Sequence, residues 1–352
     1  MNKKHVFALG LMSGTSLDGV DVAYVKFHEN NYSDFEILFA DTISYSKEWK
    51  QLLQNAIRFS KKELEDLDIT YGKYLGKIVN NFITNYKVGP IDFIASHGHT
   101  ILHEPEKGIT LQIGSGKQIA TITNQKVVCD FRTQDVKLGG QGAPLVPIGD
   151  ELLFSEYDYC INLGGFANVS FKKGAQRIAY DICPVNIVLN FYVHKLGLDY
   201  DDAGKIAASG KINKQLLERL NALSFYEKIP PKSLGLEWVQ KEIFPLIDMY
   251  EKDVANILRT FAEHVALQIG KIIKNNEAVL FTGGGVFNTF LMSEIEKYAN
   301  IKITLKSNLL INYKEALIFA LLGLLKIDNQ VNCLQSVTGA QKNHSSGVVF
   351  TP

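Results

Sequence analysis

Two stretches of this chain share one layout, in which an apolar strand runs into a polar, glycine-bearing turn and a second strand returns from it. The successive segments of the two copies are residues 6–12, 13–19 and 20–27, then residues 159–163, 164–168 and 169–171. At 352 residues the chain is also longer than one ordinary hydrophobic core requires. The repeat therefore predicts two copies of one α/β unit, folded as two lobes with a cleft between them.

Hydrophobic periodicity outside the repeats predicts crossover helices and further strands. Ser60 and Glu63 form the capping-box pattern that opens a long amphipathic helix, which Gly89 and Pro90 end. Further helices are predicted at residues 116–123, 187–196, 214–223, 253–273, 289–298 and 314–325. Further strands are predicted at residues 92–96, 109–113, 127–131, 178–180, 278–282 and 301–305. Strands that alternate with helices indicate the α/β class.

A glycine-rich loop at residues 139–144 marks the predicted crossing between the two lobes. We therefore expect an N-terminal lobe at residues 1–140 and a C-terminal lobe at residues 141–329. The C-terminal segment, residues 330–352, could return to the first lobe.

Charge and cysteine content exclude several classes of partner. Lys+Arg and Asp+Glu both number 37, so the chain lacks the basic field that binds nucleic acid. The four cysteines lie far apart without a C-x-x-C pair, which is typical of reduced cytosolic thiols. The apolar run at residues 6–12 is unlike a signal peptide, and no stretch could span a bilayer. We expect a cytoplasmic protein without nucleic-acid or membrane partners, and a homodimer is compatible with the sequence.

Three glycine-bearing turns, each following an apolar strand, are the first candidates for a binding site. They span residues 13–19, 162–168 and 282–288. Glycine lets a backbone approach its ligand, and exposed N–H groups form a nest for phosphate oxygens. One such turn is more often ordinary structure, but three together predict that the first two clasp a triphosphate and the third holds the nucleoside end. The candidate contacts in the second and third turns are Gly164, Gly165, Asn168, Gly283, Gly284 and Gly285.

Residues 114–117 read Gly-Ser-Gly-Lys, which suggests the better-known phosphate loop. Leu111 and Gln118 stand where that loop needs a glycine and a magnesium-binding hydroxyl, so we interpret these residues as a strand-to-helix turn. No Gly-x-Gly-x-x-Gly opens a βαβ unit, which disfavours a dinucleotide-binding fold.

Three charged side chains are candidates for the chemistry. Asp181 follows an apolar strand, and such strand ends face clefts, although it could equally cap the next helix. Arg132 could hold a carboxylate or phosphate in its planar fork, or form an ordinary surface ion pair with Asp135. Glu315 stands near a helix start, where a carboxylate favours the helix dipole and could also face a ligand.

His97, His99 and His103 would share one face if their segment stayed extended, which suggests a metal site. We expect Gly98 to break that strand, so contact with a substrate from Thr100 or a histidine is the favoured interpretation. A metal-dependent hydrolase built on these histidines ranks far behind.

Residues 12–21, Met-Ser-Gly-Thr-Ser-Leu-Asp-Gly-Val-Asp, closely resemble the opening signature of the anhydro-N-acetylmuramic acid kinases. Further blocks that look like those of this family follow in family order, so the resemblance covers essentially the whole chain. These blocks lie at residues 96–100, 130–132, 139–147, 162–168, 231–237, 282–285, 315–316 and 337–340.

The resemblance implies an α/β fold of the sugar kinase, actin and Hsp70 type, in which two ribonuclease-H-like lobes close on ATP and Mg²⁺ across an interlobe cleft. It also implies a reaction on a small amino sugar in bacterial cell-wall (peptidoglycan) recycling. Such a kinase opens the 1,6-anhydro ring of anhydro-N-acetylmuramic acid with water. It transfers the γ-phosphoryl group of ATP to O6, which yields N-acetylmuramic acid 6-phosphate.

The same resemblance implies roles for individual residues. Asp181 would be the general base that activates the water attacking C1. Thr100, Arg132 and Glu315 are expected at the sugar. Magnesium is expected on Asp18 or Asp181, because the superfamily's usual aspartate would fall near position 12. The ATP phosphates are expected on Gly14, Thr15, Ser16, Leu17, Asp18, Gly19, Val20 and Asp21.

The chain departs from the family most clearly after the proposed base. Residues 181–186 read Asp-Ile-Cys-Pro-Val-Asn where the family usually shows Asp-Thr-Gly-Pro-Gly-Asn, so Cys183 and Val185 replace glycines. If either glycine adjoins the substrate, the added Cβ atoms reshape the pocket. His99 likewise stands where the family often has Gln. A same-fold kinase for a different sugar and a catalytically weak ATP- and sugar-binding sensor therefore remain alternatives.

Overall fold

The computed structural model describes residues 5–14, 16–29, 31–274 and 277–352, which divide into two compact units. The first unit holds the chain up to Ser155 together with Tyr313–Pro352, and the second holds Glu156–Asn312. None of the helices in these described ranges is long and apolar enough to cross a membrane.

The elements of the first unit before its boundary are β1 (His5–Ser13), β2 (Gly19–His28), β3 (Asn31–Ser44), α1 (Lys47–Asn55), α2 (Lys61–Tyr86), β4 (Phe93–Glu104), β5 (Ile109–Ile113), α3 (Gly116–Thr123), β6 (Val127–Cys129), α4 (Thr133–Lys137) and α5 (Val146–Leu153). Those of the second unit are β7 (Tyr159–Leu163), β8 (Phe166–Lys173), β9 (Gln176–Pro184), α6 (Asn186–His194), α7 (Lys205–Ser209), α8 (Lys214–Asn221), α9 (Leu236–Trp238), α10 (Phe244–Tyr250), α11 (Val254–Gly270), β10 (Val279–Thr282) and α12 (Thr289–Ala299). The chain ends with α13 (Asn308–Ile327), α14 (Gln335–Thr338) and β11 (Val348–Phe350).

Each unit is built on one sheet, and the two sheets share a strand plan. In the first, β1 pairs antiparallel with β2, β2 antiparallel with β3, and β1 parallel with β4. In the second, β7 pairs antiparallel with β8, β8 antiparallel with β9, and β7 parallel with β10. The first sheet continues through β6 and β11, while β5 adds to β4. The predicted α/β class and the duplication of one unit are confirmed.

The sequence predicts unit boundaries at residues 140 and 329. In the structure they lie after Ser155 and before Tyr313. Helix α5 stays in the first unit because Gly149 packs against Ile318, where an added Cβ would lie 2.6 Å from the isoleucine side chain. At the other boundary, α13 is interrupted by the non-helical backbone of Tyr313, and the helix after it belongs to the first unit.

Close backbone packing explains two glycines in the first unit. A Cβ on Gly10 of β1 would lie 1.9 Å from the carbonyl oxygen of Ala316, and one on Gly323 would lie 2.7 Å from Ala95 of β4. Helix α13 therefore packs directly on the sheet through these two positions. Glu315, the residue before Ala316, lies close enough to Asp21 of β2 for their charges to interact.

Several local predictions are confirmed and others are wrong. Ser60 and Glu63 form the reciprocal capping box at the start of α2. Gly98 does not break its strand, because β4 continues through it with a φ of 73°. The strand predicted at residues 301–305 is absent from the described part of the chain, and β3 was missed.

Candidate active site

The first glycine-bearing turn joins β1 to β2 in the first unit. The amide of Leu17 donates to the carbonyl of Gly14 at 3.4 Å, and Leu17 has a φ of 59°. An added Cβ on Gly14 would meet nothing closer than Ser16 Oγ at 3.7 Å, so the fold does not require glycine there. Gly19 differs, since its Cβ would lie 2.4 Å from the carbonyl oxygen of Ile43 in β3. The predicted contact at Thr15 lies outside the described residues.

The remaining predicted contacts of this turn differ in exposure. Ser16 and Asp18 are exposed, whereas Val20 is fully buried in the core of the first unit, which leaves only its backbone for a ligand. Asp21 accepts a hydrogen bond from Thr42 Oγ1 at 2.7 Å. Burial is the main cause that raises the pKa of Asp21, and the Asp18 carboxylate adds to the rise.

Arg132 follows β6 and is fixed from two sides. Its Nε and Nη2 donate to His97 Nε2 at 3.0 and 2.9 Å, and its Nη1 donates to the carbonyl of Gly142 at 3.2 Å. Burial, helped by this guanidinium, keeps the pKa of His97 well below its usual value, so the ring stays neutral and accepts from Arg132 through Nε2. Burial lowers the pKa of Arg132 to about 10, which leaves it a cation at neutral pH.

Glu315 shares an electrostatic environment with two of these residues. Burial raises the pKa of its carboxyl group; the Asp21 carboxylate raises it further, while Lys314 and Arg132 oppose the rise. Lys314 itself pairs with Asp150 at 2.6 Å. In the first unit the charges of Asp21 and Arg132 therefore both act on the Glu315 carboxyl group.

The histidines near Thr100 form no metal site among the described residues, because each has a different partner. His97 contacts Arg132, His99 Nδ1 lies 2.8 Å from Ser13 Oγ, and His103 Nδ1 lies 3.2 Å from Thr110 Oγ1. Thr100 accepts from Gln112 Nε2 at 3.3 Å. The partners of His99, Thr100 and His103 lie opposite them on neighbouring strands, whereas His97 is held by Arg132.

The turn at residues 114–117 is a strand-to-helix turn between β5 and α3, as predicted. Its first amide, that of Gly114, donates to the Asp68 carboxylate at 2.7 Å. A carboxylate already fills the place where a phosphate would bind.

Asp181 lies within β9 rather than after its end. The alternative that Asp181 caps the following helix is wrong. Helix α6 begins after Val185 without a side-chain cap. Asp181 Oδ2 accepts the amide of Leu234 at 2.8 Å, and its own amide donates to the carbonyl of Lys232 at 3.1 Å. Burial raises the pKa of Asp181, and the Leu234 hydrogen bond opposes the rise. The sequence reasoning did not assign this role to Leu234, although the surrounding block at residues 231–237 was recognised.

The second glycine-bearing turn, between β7 and β8, lies beside Asp181. Asn168 is exposed on β8 directly opposite Asp181 on β9, next to a register shift that leaves one extra residue in β9. The carbonyl of Gly165 accepts the amide of Val185 at 2.8 Å. A Cβ on Gly165 would meet nothing closer than 3.8 Å, and one on Gly164 would lie 3.3 Å from Asn162 Nδ2. The fold therefore does not need glycine at position 165.

In the third turn, packing requires glycine at two positions and leaves room for a side chain at the third. Gly283 has a φ of 83°, and a Cβ there would lie 2.7 Å from Asn162 Oδ1. A Cβ on Gly285 would lie 2.7 Å from that of Leu163, whereas Gly284 has open space around it. Helix α12 follows, capped by Asn288, whose side chain accepts the amide of Leu291 at 2.9 Å. Among the three, only Gly284 is left without a structural reason.

Cys183 and Val185 do not point toward ligand space. Both side chains are fully buried in the hydrophobic core of the second unit, together with Ile182. The Cβ atoms that replace the family's glycines therefore fill the core. The expectation that they reshape a pocket is not supported by this placement.

Comparison with known proteins gives the same family from a family model and from similar sequences. A family model described as anhydro-N-acetylmuramic acid kinase matches residues 6–352. The anhydro-N-acetylmuramic acid kinase of Shewanella putrefaciens is 33% identical, over 99% of this chain and 99% of that protein. That of Mannheimia succiniciproducens is 32% identical, over 98% of each. Among solved structures, an activator of 2-hydroxyisocaproyl-CoA dehydratase from Clostridium difficile covers 90% of this chain and 93% of its own, with 12% identity and a TM-score of 0.45. A likeness as weak as this last one does not indicate a shared function.

Proposed function

The chain belongs to the anhydro-N-acetylmuramic acid kinase family, and we propose that Asp181 is the general base of its reaction. The protein is a phosphotransferase that acts on anhydro-N-acetylmuramic acid with ATP. In the proposed reaction, water attacks C1 and the bond between C1 and O6 breaks. O6 then takes the γ-phosphoryl group, so that the products are N-acetylmuramic acid 6-phosphate and ADP.

One observation carries the assignment of the base: Asp181 is largely buried and held through one oxygen. The Leu234 amide binds Oδ2, which fixes the carboxylate and leaves Oδ1 for the water. Burial raises the pKa of Asp181 toward the working pH, which makes it a stronger base than an exposed aspartate. The proton of the attacking water moves to Asp181 as the new bond to C1 forms, and later to solvent.

Arg132, Glu315 and Thr100 are proposed to bind the amino sugar. The Arg132 fork is already oriented by His97 and Gly142, so it loses little conformational freedom on binding. Its positive charge suits the lactyl carboxylate of the sugar. The raised pKa of Glu315 suits a hydrogen bond with a sugar hydroxyl.

The ATP phosphates are proposed to lie on the first two turns, around Gly14 and Gly165, where packing does not require glycine. Magnesium would neutralise charge on these phosphates and typically takes one or two carboxylates. The exposed Asp18 fits this role better than Asp181, because a carboxylate that holds Mg²⁺ is a poor base. Gly284 is proposed to adjoin the nucleoside.

The direct test is incubation with ATP, Mg²⁺ and anhydro-N-acetylmuramic acid in H₂¹⁸O, followed by mass spectrometry. We expect N-acetylmuramic acid 6-phosphate carrying one ¹⁸O at C1. A phosphorylated product without the label would contradict attack by water. Absence of any product from this sugar, with ATP consumed on another, would favour the different-sugar alternative.

We further propose that the protein works in the cytoplasm, where ATP is available, and without nucleic-acid or membrane partners. The equal numbers of acidic and basic residues support the absence of a nucleic-acid partner. Light scattering separates a monomer from the homodimer that the sequence allows.

A further inference from the structure

A cluster of buried polar side chains in the first unit takes no part in the proposed reaction. Asp135 lies in α4, and Cys333 and His344 belong to the C-terminal segment. Their ligand-type atoms all lie within 4.8 Å of one another. All three side chains are buried, and Asp135 has no exposed surface. We infer that Asp135, Cys333 and His344 form a binding site for Zn²⁺.

The backbone holds two of these side chains next to each other. The amide of Cys333 donates to the carbonyl of His344 at 3.1 Å, and the amide of His344 donates back at 3.2 Å. Residues paired in this way present their side chains on the same face. The thiol and the imidazole are therefore placed side by side before any ligand arrives.

Asp135 completes the set with one oxygen. Oδ2 accepts the amide of Gly142 at 2.7 Å, which orients the carboxylate. Oδ1 lies 3.0 Å from Cys333 Sγ and 2.9 Å from His344 Nε2. Zinc bonds of about 2.0–2.3 Å in a tetrahedron keep ligand atoms roughly 3.3–3.8 Å apart, so the three atoms need only small shifts. Thr338 Oγ1, 2.7 Å from Oδ1, is placed to hold a water as fourth ligand.

The chemistry of the three donors suits a borderline-soft divalent ion. Sulfur, imidazole nitrogen and carboxylate oxygen are the usual ligands of Zn²⁺, while Mg²⁺ and Ca²⁺ prefer oxygen alone. On binding, the thiol proton goes to solvent and the imidazole proton moves to Nδ1; Gln134 Nε2, which donates to Nδ1 at 3.3 Å, must then turn away so that the amide oxygen accepts the Nδ1 proton. A carboxylate and a thiolate then balance the charge of Zn²⁺, so the buried site is neutral. The ion would fasten the C-terminal segment to α4.

The test uses untagged, full-length protein purified without chelator from cells grown with zinc. We expect about one Zn²⁺ per chain by elemental mass spectrometry, and a thermal unfolding temperature that falls after chelation and recovers with zinc. Replacement by Co²⁺ should give the absorption of a thiolate–cobalt bond.

Two variants separate a metal site from a cluster held by hydrogen bonds alone. Cys333→Ser keeps a donor for Asp135 and His344→Gln keeps an N–H, but both remove a zinc ligand. We expect each to lower zinc affinity by more than the roughly 10–100-fold typical of changes outside the ligand set. Cys129→Ser, another buried cysteine of the first unit, should retain the metal.

The inference is overturned if the parent protein binds no more zinc per chain than Cys333→Ser does and if adding or removing zinc leaves its unfolding temperature unchanged. Zinc that stays bound in both ligand variants would also overturn it, because the metal would then lie elsewhere. If one variant fails to fold, the other gives the same readout.

Discussion

The first hairpin of each unit occupies the same place in the shared strand plan, yet the two turns are built differently. The turn after β1 is long, carries the exposed Asp18 and contains Leu17 with a positive φ. The turn after β7 is two glycines long, and the carbonyl of Gly165 accepts an amide at the start of α6. Both turns nevertheless contain a glycine that packing does not require. Gly19 and Gly283 are explained by neighbouring chain atoms, whereas we propose that Gly14 and Gly165 let a ligand approach the backbone.

The largest expected effect concerns Asp181, which lies opposite the strand that leaves the second turn. Asp181→Asn keeps an oxygen to accept the Leu234 amide but cannot take a proton from water. We expect kcat to fall by about 10²–10⁴-fold with nucleotide binding unchanged, measured by product formation and by ATP titration. Asp158→Asn is the matched control, because Asp158 also accepts one backbone amide at 2.8 Å. Activity of Asp181→Asn within a few-fold of the parent would disprove the assignment.

A second test asks whether Val185 serves the core or crowds the sugar. Val185→Gly removes a fully buried side chain but keeps the amide that donates to Gly165. We expect the free energy of unfolding in urea to fall by about 2–4 kcal/mol, from lost burial and added backbone entropy, with kcat/KM little changed. Val185→Ala should lose less stability. A tenfold gain in kcat/KM would instead mean that the family's glycine leaves room for substrate.

The comparison of the two turns is sharpened by adding one methyl group to each. Gly14→Ala and Gly165→Ala leave the fold intact, because both Cβ atoms have room. We expect KM for ATP to rise about tenfold in each, the equivalent of about 1.4 kcal/mol, with unfolding temperatures unchanged. Gly89→Ala, remote from both turns in sequence, should change neither quantity. Gly19→Ala should lower stability instead, and a KM effect confined to one turn would show that only that turn binds the triphosphate.

How far the sequence predicts this molecule depends on whether a feature is local. The capping box of α2 and the bounds of α3 follow from neighbouring residues and are correct. The strand predicted at residues 301–305 is wrong because Ile301 and Ile303 pack on the core of the second unit without a paired neighbour strand. Alternation of apolar residues reports one buried face and does not supply a hydrogen-bonding partner.

The candidate site shows the same division. The glycine-bearing turns and Asp181 could be located because each sits next to an apolar strand in sequence. The pairing of Arg132 with His97, and the meeting of Asp135 with His344, join residues far apart in the chain. Only the tertiary fold creates those contacts. The burial of Cys183 likewise depends on helices that follow it much later in the chain.

The last prediction concerns His99, whose Nδ1 contacts Ser13 at the start of the first turn. Burial lowers the pKa of His99 to about 4, below its ordinary value of 6.5. The unfolded chain therefore takes up this proton more readily, so the stabilising contribution is complete above pH 6.5 and is lost as the pH falls toward 4. His99→Gln has no such proton. We expect it to lose less stability than the parent over this interval, by at most about 1.4 kcal/mol per pH unit.

The two tryptophans allow this effect to be assigned to one unit. Trp49 packs against Tyr71, which contacts the His99 ring, while Trp238 packs against Tyr226, a hydrogen-bond partner of His264. Fluorescence of the Trp238→Phe protein therefore reports the first unit, and that of Trp49→Phe reports the second. Because burial also lowers the pKa of His264, to about 3, the second unit should keep its own loss of stability in acid when His99 is replaced. An acid response of Trp49 that is the same with and without His99 would show that this histidine does not control the stability around the first turn.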